Sequence, residues 1–177
     1  MPFIKPPDLE QVDGSTKEIY EKVKEYTGSD SVSEVIRVLS LRPDLLNMTL
    51  SMVGTLLTAK TELDNEIKEA IAILTSLENG CKICVGEHAR IAKELGMKEE
   101  IVDKLAKGIK FIEFPEKEKK LLKFCVKSAK NAYKVLQKDI DTLREAGYSD
   151  SQILEALCIV GYFNYMNTIM LATGSTS

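Results

Sequence analysis

At 177 residues the chain fits one ordinary domain and can bury a substantial core. Hydrophobic residues at 44% and charged ones at 29% exclude a disordered chain, and a net charge of −3 gives no long-range attraction to nucleic acid or an anionic membrane. With aromatics at 6% and no tryptophan, the core must come from Leu, Ile, Val, Ala and Met, which suits packed helices better than a sandwich of sheets.

Pro2, Pro6 and Pro7 predict an extended arm over residues 1–14. From Ser15, Ile19, Val23 and Tyr26 recur at helical spacing, and Gly28 is expected to close this first helix. Ser31 or Ser33 can cap a short second helix with Val35, Ile36 and Leu39 inward, before Arg42-Pro43 interrupts it. A third runs from Asp44 toward Leu57, with Gly54 as its weak point. Thr61 is expected to cap the next, placing Asp64 at its third position and Ile67, Ala70, Ile71 and Leu74 on one apolar face. Gly80 ends that helix, and another runs from about Cys81 to Leu95, stopped by Gly96.

Residues 98–107 predict a short helix with Ile101, Val102 and Leu105 inward. Residues 117–138 predict a longer, highly charged one carrying Leu121, Leu122, Cys125, Val126, Ala129 and Tyr133. A short helix then ends at Gly147, and Ser149 or Asp150 caps a final apolar one. Similar turns near 96–99 and 147–150 hint that helix pairs recur. No alternation marks a strand, so the fold class is all-α, a helical bundle, with the arm at 1–14 and a single domain over 15–177. No secretory signal is read in MPFIKPPDLE, and no apolar run is expected to reach the roughly 20 residues that span a bilayer. A cytoplasmic protein that binds neither membrane nor nucleic acid is expected.

In such a compartment the stretch GCKICVGEH, residues 80–88, carries the chemistry of interest. Cys81, Cys84 and His88 follow one another at spacings of three and four, which puts them on one helix face. The unpaired N–H groups of the first turn favour thiolate, most directly at Cys81, and His88 can act as base to Cys84. A dithiol of this kind closes to a disulfide during reaction. Two other readings stand beside it: inert core thiols, and a structural zinc site that lacks a fourth ligand unless Cys125 or Cys158 folds back. Among the acids available to orient His88, Glu66, Glu78 and Glu87 have weaker placements. Glu69, at the edge of the apolar stripe, either faces the following helix or is solvated surface. Tyr162, Phe163, Tyr165 and Met166 read as core or subunit contacts, with some available to line an apolar pocket above Cys84. Asn164 and Asn167 are unusual in an apolar helix and are expected to tie helices together.

The pattern E-x11-C-x2-C-x3-H followed by AKELGMKEEIV, with LREAGYSDSQILEALCIVGYFNYMNTIMLATG closing the chain, resembles the carboxymuconolactone decarboxylase superfamily over about residues 40–174. The resemblance is to its AhpD-like alkylhydroperoxidase and peroxidase-related branch. It implies an AhpD-like helical bundle forming a homo-oligomer, a trimer or hexamer. The implied substrate is a hydroperoxide, or a disulfide, and the reductant a dithiol protein or small thiol. No metal or organic cofactor is implied. By position in the motif, Cys84 matches the attacking cysteine, Cys81 the resolving one, His88 the motif histidine and Glu69 the carboxylate of the proton relay. Helix geometry alone leaves the order of the two thiols open. Ile83 stands where the best-known bacterial AhpD proteins carry a second histidine, and Asn167-Thr168 where many relatives have Asn-Arg. The alternatives are a dithiol–disulfide oxidoreductase with little peroxidase activity and a non-enzymatic helical binding or structural module. A decarboxylase fits less well, since no basic cluster awaits a lactone carboxylate.

Overall fold

The computed structural model describes residues 2–8, 12–27 and 30–176, so the expected stop at Gly28 and the side chain of Tyr26 lie outside the described residues. Among these residues the structure is all-α and contains no strand. Nine α-helices follow in order: α1 (Gly14–Thr27), α2 (Glu34–Leu39), α3 (Pro43–Val53), α4 (Asn65–Glu78), α5 (Lys82–Glu94), α6 (Glu99–Lys107), α7 (Glu116–Asn131), α8 (Gln137–Glu145) and α9 (Asp150–Thr173). The chain forms two compact units, one of residues 1–52 and 169–177, the other of residues 53–168.

In the first unit α1 turns Thr16 and Tyr20 inward and leaves Ile19 and Val23 half-buried. The inner face is displaced from the expected one because the buried Tyr20 hydroxyl has a partner, Ser40 Oγ, which offsets the cost of dehydrating it. In α2 the buried residues are Val35, Val38 and Leu39, with Val38 taking the place expected of Ile36. Ser33 occupies the N-cap position of α2 but makes no side-chain cap bond. Pro43 sits at the first position of α3, where a missing N–H costs nothing. The arm is pinned by Phe3, whose N–H donates to the Thr173 carbonyl at 2.6 Å.

The second unit opens with a π-helical turn at Gly54–Thr58, so the expected weak point at Gly54 is where the helix widens. Helix α4 begins later than expected. Asp64 is its N-cap residue, and the Thr61 hydroxyl instead donates to Glu155 on α9 at 2.5 Å. Every residue from Ile67 to Ser76 is buried, which makes α4 the axis of this unit, packed against α5, α6 and α7. The turns at Gly96 and Gly147 share one bonding pattern, with Met97 N–H reaching Ala92 O and Tyr148 N–H reaching Leu143 O. Helix α7 buries Leu121, Leu122 and Cys125 but stops at Asn131, short of the expected 138. A 3₁₀ turn follows, and Tyr133 is 81% exposed. The break has a cause: Asp139 accepts from Leu136 N–H at 2.7 Å and from Lys127 at 2.6 Å, which starts α8 afresh. Ser149 Oγ accepts from Gln152 N–H and opens α9. With 24 residues α9 is long and apolar enough to cross a bilayer, contrary to expectation, although half of its apolar stretch is buried in the protein, as in a core helix.

Burying α4 on all sides buries Lys68, which is 1% exposed. Its ammonium donates to the Ala59 carbonyl at 3.0 Å and pairs with Glu155 at 3.2 Å. Removing one member of such a pair strands the other, so Glu155→Ala is expected to cost about 3 kcal/mol in urea unfolding. Replacing both at once, with Lys68→Met and Glu155→Leu, is expected to restore most of that loss.

Candidate active site

Helix α4 ends at Glu78 with Asn79 as its C-cap residue, and Gly80 at φ 75° reverses the chain. The Cys81 N–H reaches back to the Ser76 carbonyl at 2.9 Å, closing a Schellman-type turn that needs glycine at its left-handed position. Cys81 is thereby set just outside α5 as its N-cap residue, and the Cys84 N–H points to its sulfur at 3.4 Å. The expected common helix face thus holds for Cys84 and His88, one turn apart, while Cys81 is placed beside Cys84 by the cap. The two sulfurs are joined in a disulfide with Cα atoms 5.3 Å apart. Both cysteines are buried, whereas their chain neighbours Lys82, Ile83 and Gly86 are exposed.

Glu69 is buried on α4 and its carboxylate lies 2.7 Å from His88 Nδ1 on α5. A carboxylate only accepts, so Nδ1 carries the hydrogen and the neutral ring keeps Nε2 free of one. Phe163 of α9 packs edge-on against the imidazole, with centroids 4.6 Å apart and planes at 88°, and Tyr162 packs in turn on Phe163. These aromatics fix the ring's plane while Glu69 fixes its tautomer. The other candidate acids are engaged elsewhere or turned outward. Glu87 pairs with Arg90 at 2.6 Å, which holds its carboxyl below the usual range, Glu78 pairs with Lys130, and Glu66 is exposed. Phe163, Tyr162 and Met166 are buried and Tyr165 is half-buried; burial pushes the Tyr162 phenol up.

Three asparagines brace the turn that carries Cys81. Asn79 Nδ2 donates to Asn164 Oδ1 at 2.8 Å and to Asn167 Oδ1 at 2.9 Å, and Asn167 Nδ2 donates to Ser76 Oγ at 3.2 Å. Asn164 and Asn167 therefore tie α9 to the end of α4. Spacing had no means of finding Asn79 or the contact of Phe163 with His88, since both depend on how α9 lies along α4 and α5. The only signal was the presence of two amides in an apolar helix. Cys125 is fully buried in α7 and Cys158 exposed on α9, and neither joins the pair. Among the described residues no group of three or more His, Cys, Asp and Glu side chains is gathered to hold a metal ion.

The arrangement defines a class: an all-helical protein whose Cys-x-x-Cys pair caps one core helix beside a Glu–His couple. The carboxymuconolactone decarboxylase family profile matches residues 43–127. A peroxidase-related protein from Silicibacter sp. TM1040 shares the fold with a TM-score of 0.90 at 21% identity, over 99% of this chain and 91% of that one. An AhpD-core, peroxidase-related protein from Ralstonia eutropha JMP134 gives 0.88 at 24%, over 98% and 90%. The debrominase Bmp8, solved in complex with 2,3,4-tribromopyrrole, gives 0.81 at 18%, over 98% and 90%. No curated protein matches the chain. The chain thus has an AhpD-like helical bundle fold, and its residues 43–127 are similar to the carboxymuconolactone decarboxylase family.

Burial raises the Cys125 thiol well above its ordinary range, so it stays protonated through neutral and mildly alkaline pH. Iodoacetamide treatment of the native disulfide form at pH 8 is therefore expected to label Cys158 alone. Peptide mapping should find Cys125 modified only after denaturation.

Proposed function

We propose that the protein is a thiol-dependent peroxidase that cycles between a Cys81–Cys84 dithiol and disulfide. The observation that carries this reading is the 2.7 Å Glu69–His88 hydrogen bond beside a buried cysteine pair. A half-buried imidazole with one nitrogen committed to a carboxylate is a base poised to take a thiol proton. Cys84 shares its helix face with His88 and takes the attacking role, and Cys81 resolves. In the first step the Cys84 thiolate attacks the distal oxygen of a hydroperoxide. The O–O bond breaks, sulfenic acid forms, and the alkoxide leaves as the alcohol after protonation by His88. Next the Cys81 sulfur attacks the sulfenic sulfur, an S–S bond forms, and water leaves. A dithiol donor then reduces the disulfide, taking up the two oxidising equivalents as its own disulfide.

This chemistry belongs in a reducing compartment such as the cytoplasm, where dithiol donors are held reduced. We also propose that the chain works as a homo-oligomer. Leu45 and Met48, one turn apart on α3, and Leu154 on α9 are large apolar side chains left exposed on the single chain. Light scattering is expected to give a mass three or six times that of the chain, and a monomer at micromolar concentration would refute this.

For the peroxidase reading, single-turnover mixing of the dithiol form with cumene hydroperoxide is expected to produce one alcohol and one Cys81–Cys84 disulfide per chain. Cys84→Ser should abolish both. His88→Gln should slow the first step by about a hundredfold or more, and Glu69→Gln by less. Failure of the wild type to consume any hydroperoxide, with the disulfide still forming from oxidised dithiols, would move the function to disulfide exchange.

A further inference from the structure

We infer that Asn79 is a positioning residue for the Cys81–Cys84 couple, holding the turn in the shape that the disulfide requires; this rests on the pair being redox-active. Asn79 is the last residue before Gly80, and its own N–H bonds to the Thr75 carbonyl at 3.0 Å. Its side-chain amide has two hydrogens, and both are used, one on each of the α9 asparagines. Asn167 is 1% exposed and returns a bond to the hydroxyl of Ser76, which is itself fully buried. The carbonyl of the same Ser76 receives the Cys81 N–H. Four residues thus form a closed bracket around the turn: Ser76, Asn79, Asn164 and Asn167. The segment that leaves the bracket is Gly80-Cys81.

A thiol pair places few demands on backbone separation, whereas a disulfide requires its Cα atoms near the 5.3 Å found here. A braced turn therefore favours the disulfide over the dithiol, because less conformational freedom is lost when the bond closes. By linkage, whatever the bracket contributes to the disulfide form beyond the dithiol form appears as a shift in the redox equilibrium. An asparagine that served folding alone would stabilise both forms equally and leave that equilibrium unmoved.

The test is equilibration with glutathione. Oxidised glutathione gives up its S–S bond, the two protein thiols lose two electrons and two protons, and one protein disulfide and two reduced glutathiones result. Wild type, Asn79→Ala and Asn79→Ser are brought to equilibrium over graded ratios, acid-quenched, alkylated and read by mass. Asn79→Ala is expected to shift the equilibrium toward dithiol by about fivefold, the worth of one net hydrogen bond. Asn79→Ser, which keeps a single donor, should shift it less, and it serves as the measured variant if Asn79→Ala does not fold. Urea midpoints of both redox forms should show the larger loss in the disulfide form. An equilibrium within twofold of wild type for a folded Asn79 variant would overturn the assignment. No peroxide is used, so a wild type that forms the couple without consuming peroxide refutes the proposed function and leaves this result standing.

Discussion

The second unit depends on one constraint: α4 is buried on every side and yet carries two adjacent charged residues, Lys68 and Glu69. Neighbours on a helix point about 100° apart, so one partner cannot serve both. Lys68 finds Glu155 on α9 and Glu69 finds His88 on α5. Apolar residues of similar volume would serve stability as well, since dehydrating charges costs more than their attraction returns in many buried pairs. The pairs fix geometry instead. With both made, α4 cannot rotate without stranding a charge, and α5 and α9 are held in register with it.

Helix α5 begins where that register is set. The Schellman-type turn at Gly80 serves two ends at once, since it satisfies the last carbonyls of α4 and presents Cys81 as the cap of α5. The sulfur accepts from Cys84 N–H, so the helix terminus favours negative charge at Cys81. His88 lies a turn beyond Cys84, where the proposed function has it take the thiol proton. In the proposed cycle two different influences would thus act on the two sulfurs, each of which must be nucleophilic in its turn.

Much of the fold was legible in the sequence because helices advertise themselves over short distances. The stops at Gly80, Gly96 and Gly147 and the start at Ser149 are local chemistry, and they lie where spacing and turn residues put them. The misplacements are all tertiary. Thr61 is a plausible cap until Glu155 arrives from 94 residues away to claim its hydroxyl. Helical periodicity runs smoothly through Tyr133, and only the side chain of Asp139, bonded to Leu136 N–H and Lys127, ends it. In the site, Cys81, Cys84 and His88 were visible as a spacing. Glu69 stood on the right side of its helix by pattern, but resemblance was needed to choose it over solvated surface. Lys68 gave no sign, because a lysine beside a glutamate usually marks an exposed face.

The asparagines and aromatics of α9 show why the closing block FNYMN is informative. Phe163 touches His88, and Asn164 and Asn167, one and four residues later, reach Asn79 on the turn before Cys81. One helical turn of α9 therefore contacts the His88 imidazole at one end of the cysteine segment and its entry turn at the other. Phe163 requires α9 to lie close, since an edge-on aromatic contact holds only over a narrow range of distance. The amides require it to lie at one rotation, since hydrogen bonds weaken steeply with angle. Apolar packing supplies the first condition in any helical bundle and the second in almost none. Polar residues within an otherwise apolar helix are thus the cost of directing α9 at the dithiol. They are few enough that the helix keeps the length and apolar character of one able to cross a bilayer.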